Sequence, residues 1–135
     1  MSVYVTIATK ITDQNRLLQA LADLGFTQVE CHEQAQSLID YQGRQREQTA
    51  EIIIRRKHLK PDSNDIGFKQ QGDGTYTVVV SDFDKAVFPG VFDAKVMQRY
   101  ARQIVMRQLD QKRFNVVEET VDGDRCIRLV ARRIG

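Results

Sequence analysis

Gly25-Phe26-Thr27-Gln28-Val29-Glu30 closes a helical stretch and leads to a strand ending Ile52-Ile53-Ile54-Arg55-Arg56-Lys57. Arg113-Phe114-Asn115-Val116-Val117-Glu118 does the same ahead of Leu129-Val130-Ala131-Arg132-Arg133. A strand, helix, strand, strand unit used twice is the reading that decides the fold. It gives an α+β domain in which one mostly antiparallel sheet carries two helices on one face. The chain has 135 residues, enough for one core and one domain over 1–135, with structural halves at 1–60 and 74–135.

The segments around these phrases fill in the same pattern. Val3, Val5 and Ile7 alternate with Tyr4, Thr6 and Ala8, the period of a half-buried strand. Thr12 and Asp13 offer helix N-caps, Leu17, Leu18, Leu21 and Leu24 recur at helical spacing, and Gly25 supplies a left-handed stop, so a helix is expected over 13–24. Short strands are expected over 27–31 and 37–41, with a polar turn over 43–48. A strand over 50–57 follows, whose unbroken Ile52-Ile53-Ile54 calls for apolar material on both faces and a central place in the sheet. Asp73-Gly74 between 65–69 and 75–81 reads as a hairpin. Residues 82–91 read as a connection, and a second helix runs from Asp93 to about residue 112. A hairpin around Asp122-Gly123 closes the chain.

Composition excludes several classes. Hydrophobic residues make up 41% and charged ones 28%, which describes a globular chain, and no apolar run approaches the ~20 residues needed to cross a bilayer. The start reads as a strand and not as a signal peptide, so a cytoplasmic location is expected. Formal net charge is +2, a balance that permits nucleic-acid binding without arguing for it. Cys31 and Cys126 read as small semi-buried thiols. His32 and His58 lack companions at ligand spacing, so neither a metal nor another cofactor is expected.

The strongest functional lead is the pair of basic strand ends. Arg55, Arg56 and Lys57 would converge with Arg128, Arg132 and Arg133 if the repeat is structural, forming a patch for phosphates or for an acidic protein surface. The competing reading is that such residues only solubilise strand ends. Gly67, within Asp65-Ile66-Gly67-Phe68, marks a place where another backbone or a ligand comes close. Arg99-Tyr100 lies on the second helix, with Tyr100 in the core and its hydroxyl bonded at the edge; pairing of Arg99 with Asp65 is one option. No catalytic residue stands out, because no nucleophile elbow or glycine-rich phosphate loop is present.

Taken in order, several of these segments resemble the hypothetical chloroplast reading frame thirty-five family of cyanobacteria and plastids. They include Thr6, Thr9, Ile11 and Asp13; Leu24-Gly25; Tyr41 and Gly43; Ala50 to Arg55; Asp65-Ile66-Gly67-Phe68; Gln98-Arg99-Tyr100-Ala101; Asp122-Gly123; and Ile127-Arg128-Leu129-Val130. Asp65, Gly67, Arg99, Tyr100, Asp122 and Gly123 are the family-motif positions, with no role attached to them. The family often carries tryptophans where this chain has none, which marks a divergent bacterial member. The resemblance implies no activity or cofactor. It does imply a protein partner, an AAA-type ATPase or its small companion protein. The function expected is therefore a small non-enzymatic protein-interaction module using the open sheet face or the basic rim. The alternatives are nucleic-acid or other polyanion binding and, third, an enzyme of unknown class. Exposed sheet edges also leave room for a homodimer.

Overall fold

A computed structural model describes residues 2–111, 114–121 and 127–133, with side chains over 2–111. The first helix, α1 (Gln14–Asp23), forms where the leucine spacing demands it. Asp13 accepts the N–H of Arg16 at 3.1 Å and caps it. Leu17, Ala20 and Leu21 are buried along one stripe. Gly25, at φ 96°, lets the chain reverse so that Phe26 N–H reaches the Leu21 carbonyl at 2.9 Å.

Five strands form the main sheet: β1 (Tyr4–Ala8), β2 (Glu30–Ile39), β3 (Gln45–Ile54), β4 (Ile66–Gln70) and β5 (Tyr76–Ser81). Their order is β1-β5-β4-β3-β2 and every pairing is antiparallel. One face meets α1 and a later helix, α3 (Val96–Gln111). There Ile52, Ile54, Phe68, Val78 and Val80 from the sheet pack with Leu17, Leu21, Phe92 and Val96. Each such side chain contributes roughly 1.5–3 kcal/mol by leaving water, so this layer carries most of the folding energy.

The second face is open only in part: Thr6 and Ala8 are exposed on it. Tyr4, Ile53 and Val79 point to it and are buried with Leu38 and Ala50 in a separate apolar cluster. The cover is the distal half of the β2–β3 hairpin. Its register shifts between Cys31 and Gln36, and β3 pairs with β4 only over Ile52–Ile54, the residues before Ile52 leaving that ladder, so that Ala50 and Leu38 come to lie over Gly67. Arg46 reaches across to the far edge, where its guanidinium sits 5.3 Å from the Tyr4 ring centre. The exposed sheet face expected from the sequence is thereby reduced to the part that carries Thr6 and Ala8. The apolar character of Ile53 reflects this fold-over, because β3 is one place from the edge rather than central.

Other expectations move in detail. The strands expected over 27–31 and 37–41 are one long irregular strand, β2. β3 begins at Gln45 and ends at Ile54, so Arg56 and Lys57 lie in a 3₁₀ turn (Arg56–His58) instead of extending the strand. The stretch expected as a connection holds a third helix, α2 (Asp82–Val87), capped by the Ser81 hydroxyl, and a π-helical turn, Val91–Lys95, that leads into α3. Phe26, Phe88 and Phe92 pack with ring centres 5.3–6.1 Å apart and fix this join.

β6 (Phe114–Val121) and β7 (Ile127–Arg133) pair antiparallel in their own two-stranded sheet, in contact with α3. The element order repeats but the packing does not. Among the described residues β2–β3 joins the main sheet whereas β6 and β7 pair with each other in a separate one, so the duplicated unit is not confirmed in space.

Candidate functional site

Polar groups converge where β3 ends and the loop into β4 begins. Asp65 is fully buried and accepts three donors: Ile39 N–H at 2.7 Å, Arg56 N–H at 2.8 Å and Arg55 Nη1 at 2.7 Å. Arg55 also donates to the Ser37 carbonyl at 3.2 Å and pairs with Glu30 at 3.0 Å. The Arg55 guanidinium holds the Glu30 carboxyl below the usual carboxylate range, with His32 at 2.8 Å adding to the effect. Arg56 clamps the loop: Nε donates to the Ser63 carbonyl at 3.0 Å and Nη2 to the Tyr41 carbonyl at 2.9 Å. Charge-assisted bonds of this kind fix backbone position strongly.

Two more buried carboxylates extend the cluster. Asp40 closes the hairpin tip by accepting the N–H groups of Gln42 and Arg44 at 3.0 and 2.9 Å. Asp84 accepts Asn64 N–H, Asn64 Nδ2 and the Ser81 hydroxyl at 2.8, 3.2 and 2.8 Å. Tyr4 Oη donates to the Asp65 carbonyl at 2.7 Å. Burial pushes its hydroxyl far above the ordinary phenol range, and the charges of Asp65 and Asp84 push the same way. The constellation ties hairpin, loop and sheet together, and its donors and acceptors face one another except at Asp84 Oδ1, which is buried without a hydrogen-bond partner among the described residues.

The positions singled out in the sequence therefore part ways. Arg55, Arg56 and Asp65 meet, but inside the scaffold. Asp65 pairs with Arg55 and not with Arg99, which is half-buried on α3. Lys57 is exposed. The side chains of Arg128, Arg132 and Arg133, together with Asp122 and Gly123, lie outside the described residues. Tyr100 sits against the core as expected, its hydroxyl accepting Thr12 and Asp13 N–H at 3.2 and 3.1 Å, so α3 braces the start of α1. Gly67 is approached by Ala50 and Leu38 side chains. Cys31 is exposed rather than semi-buried. Sequence reasoning missed Asp40, Asn64 and Asp84. The only signal for Asn64 and Asp84 was polar residues flanking apolar strands, which any surface loop shares.

The two edges of the main sheet differ. β2 carries Glu30, His32 and Glu33 and breaks register twice, devices that discourage further pairing. β1 is Tyr-Val-Thr-Ile-Ala, without charge, proline or bulge, preceded by Val3 at 58% exposure. Asp82 N–H donates to the Val3 carbonyl at 2.8 Å, which sets the ladder phase: Val3, Val5 and Ile7 bond toward β5. The N–H and C=O groups of Tyr4, Thr6 and Ala8 then point away from the sheet. A groove of about 430 Å³ runs beside them, lined by Val5, Thr6, Ile7, Asp82, Lys85 and Ala86.

A family model described as protein of unknown function (DUF1257) matches residues 20–130. The chain belongs to this family. It is also similar to the uncharacterized protein ycf35 of Cyanophora paradoxa, 28% identical over 134 residues that cover 98% of each chain. No solved structure matches it. The resemblance noted in the sequence thus stands, and the alignment with the Cyanophora paradoxa protein takes in β1 as well as the domain match that begins within α1. Among the described residues no helix is long and apolar enough to cross a membrane.

Proposed function

We propose that this DUF1257 protein is a small protein-interaction module that docks an extended segment along the outer edge of β1. The observation that supports this reading is the contrast between edges: β2 is guarded by charge and bulges, while β1 presents an uninterrupted uncharged strand beside a groove. Unguarded edges are costly to keep unless they are paired. Main-chain bonds from Tyr4, Thr6 and Ala8 supply the attachment, and side chains entering the groove supply selectivity. An AAA-type ATPase is the first partner to try.

The test is co-purification of the wild type and the Thr6→Pro variant from native lysate, or with a co-expressed ATPase. Proline at an outward-bonding position removes one docking donor without touching the β1–β5 ladder. A partner retained by wild type and lost by a folded Thr6→Pro supports the reading. A partner bound equally by both, or recovery of neither another protein nor a second copy of the chain, counts against it.

A further inference from the structure

We infer that the segment docked on β1 is β1 of a second copy, so that two main sheets join into one ten-stranded antiparallel sheet about a two-fold axis at Thr6. The inference rests on the edge-docking reading and adds the occupant. An antiparallel copy of β1 brings the same outward-bonding residues, Tyr4, Thr6 and Ala8, to the edge, so every outward group of the strand finds a partner in one symmetric register. With Thr6 opposite Thr6, Tyr4 faces Ala8 of the second copy, and both strands offer hydrogen-bonding groups at these pairs.

Side chains agree with this register. On the helix-bearing face Val5 lies opposite Ile7 of the second copy, a β-branched pair formed twice by symmetry, and both residues are only half-buried in the single chain. On the other face the exposed Thr6 side chains meet at the axis, a favourable cross-strand pair. Shifting by two residues in either direction leaves one end of each five-residue strand without a partner. Charge agrees as well. Asp82 is anchored at the start of β1 by Val3 N–H at 3.1 Å, Lys10 follows the strand's end, and Arg46, whose guanidinium reaches the Ser2 carbonyl at 3.4 Å, is already paired with Asp40 at 3.5 Å. The register places Lys10 opposite Ser2 of the second copy, next to that copy's Asp82. The contact is short, so the dimer is a weak one that depends on concentration.

Light scattering after size exclusion, over micromolar to millimolar protein, reads the outcome. Wild type should pass from monomer to dimer. Thr6→Lys and Thr6→Glu each place like charges face to face and should weaken the dimer on the order of tenfold, and mixing the two should restore it. Amide exchange at Thr6 and Ala8 should slow as wild-type concentration rises, which checks the same pairing without a variant. A wild type that stays monomeric with exchange rates independent of concentration overturns self-pairing, as does a dimer indifferent to both charges. Self-pairing then fails alone if Thr6→Pro still loses a co-purified partner. If that partner is also bound equally, the edge reading falls with it.

Discussion

Gly67 lies so close to Ala50 that a Cβ placed on the glycine would stand 2.5 Å from the Ala50 Cβ, with Leu38 Cδ2 at 3.2 Å. Real Cβ contacts do not reach that distance, so Gly67→Ala must push the β2–β3 hairpin off the sheet. Overpacking of this kind costs about 1–3 kcal/mol, against a gain of about 0.4–1 kcal/mol from a less flexible unfolded chain. Chemical denaturation should show a net loss of about 1–2 kcal/mol. Ala50→Gly in the same background should return part of it, because it removes the atom struck. Equal losses in the single and double variants would mean the hairpin is not held against Gly67.

The same contact shows where the sequence was legible. Helix α1 was readable to within a residue at each end because its signals are local: a capping Asp13, leucines at helical spacing and a terminating Gly25. Gly67 was legible as a site of close approach, but what approaches was not, since a glycine records missing volume and not the identity of the filler. Ile52-Ile53-Ile54 correctly announced two apolar faces. It did not say that the second is covered in part by the strand's own hairpin, because β3 pairs with β4 only over Ile52–Ile54. Arg55 and Arg56 misled for a related reason. A basic residue at a strand end looks alike in sequence whether its guanidinium faces water or three carbonyls and a buried carboxylate. The fold class came from periodicity, whereas the polar cluster depends on pairs such as Arg55–Asp65, Tyr41–Arg56 and Ile39–Asp65, 10 to 26 residues apart, which no local pattern encodes.

Arg55 and Asp65 should behave as one unit. Asp65 is fully buried, so Arg55→Met leaves a charge facing backbone N–H groups alone, and Asp65→Asn puts an amide where a carboxylate accepted three donors. Each should cost about 3 kcal/mol, and the double variant much less than their sum. Glu30→Gln breaks only the exposed arm of the same cluster and should cost less than about 1 kcal/mol. A double-mutant cycle by urea denaturation reads this directly, and strict additivity would show that the ion pair is incidental.

Arg56 and Lys57 are adjacent in sequence and should separate in experiment. Arg56→Ala removes two bonds that hold the Ser63 and Tyr41 carbonyls and should destabilise by about 1–3 kcal/mol. Lys57→Ala, at an exposed position, should stay within about 0.5 kcal/mol of wild type. Heparin retention provides the complementary measurement. If the basic ends serve a polyanion, Lys57→Glu lowers retention at unchanged stability; unaltered retention would remove Lys57 from such a patch.

Acid sensitivity should originate at Asp40 and Glu30. Burial pushes the Asp40 carboxyl up, but the N–H groups of Arg44 and Gln42 and the Arg44 guanidinium outweigh it, so its folded value falls below the ordinary carboxylate range. Glu30 is lowered by Arg55 and His32. A carboxyl whose folded pKa is depressed binds its proton more readily in the unfolded chain. Its stabilisation is fully present above the unfolded value, about 4, and is lost as pH falls through the folded one. Thermal unfolding should therefore be insensitive to these groups at neutral pH, and the midpoint should drop progressively once pH passes below about 4. Asp40→Asn should lower the midpoint at pH 7 and flatten the acid limb, so that the wild-type and variant curves converge at low pH. Parallel curves across the whole range would place the acid sensitivity elsewhere.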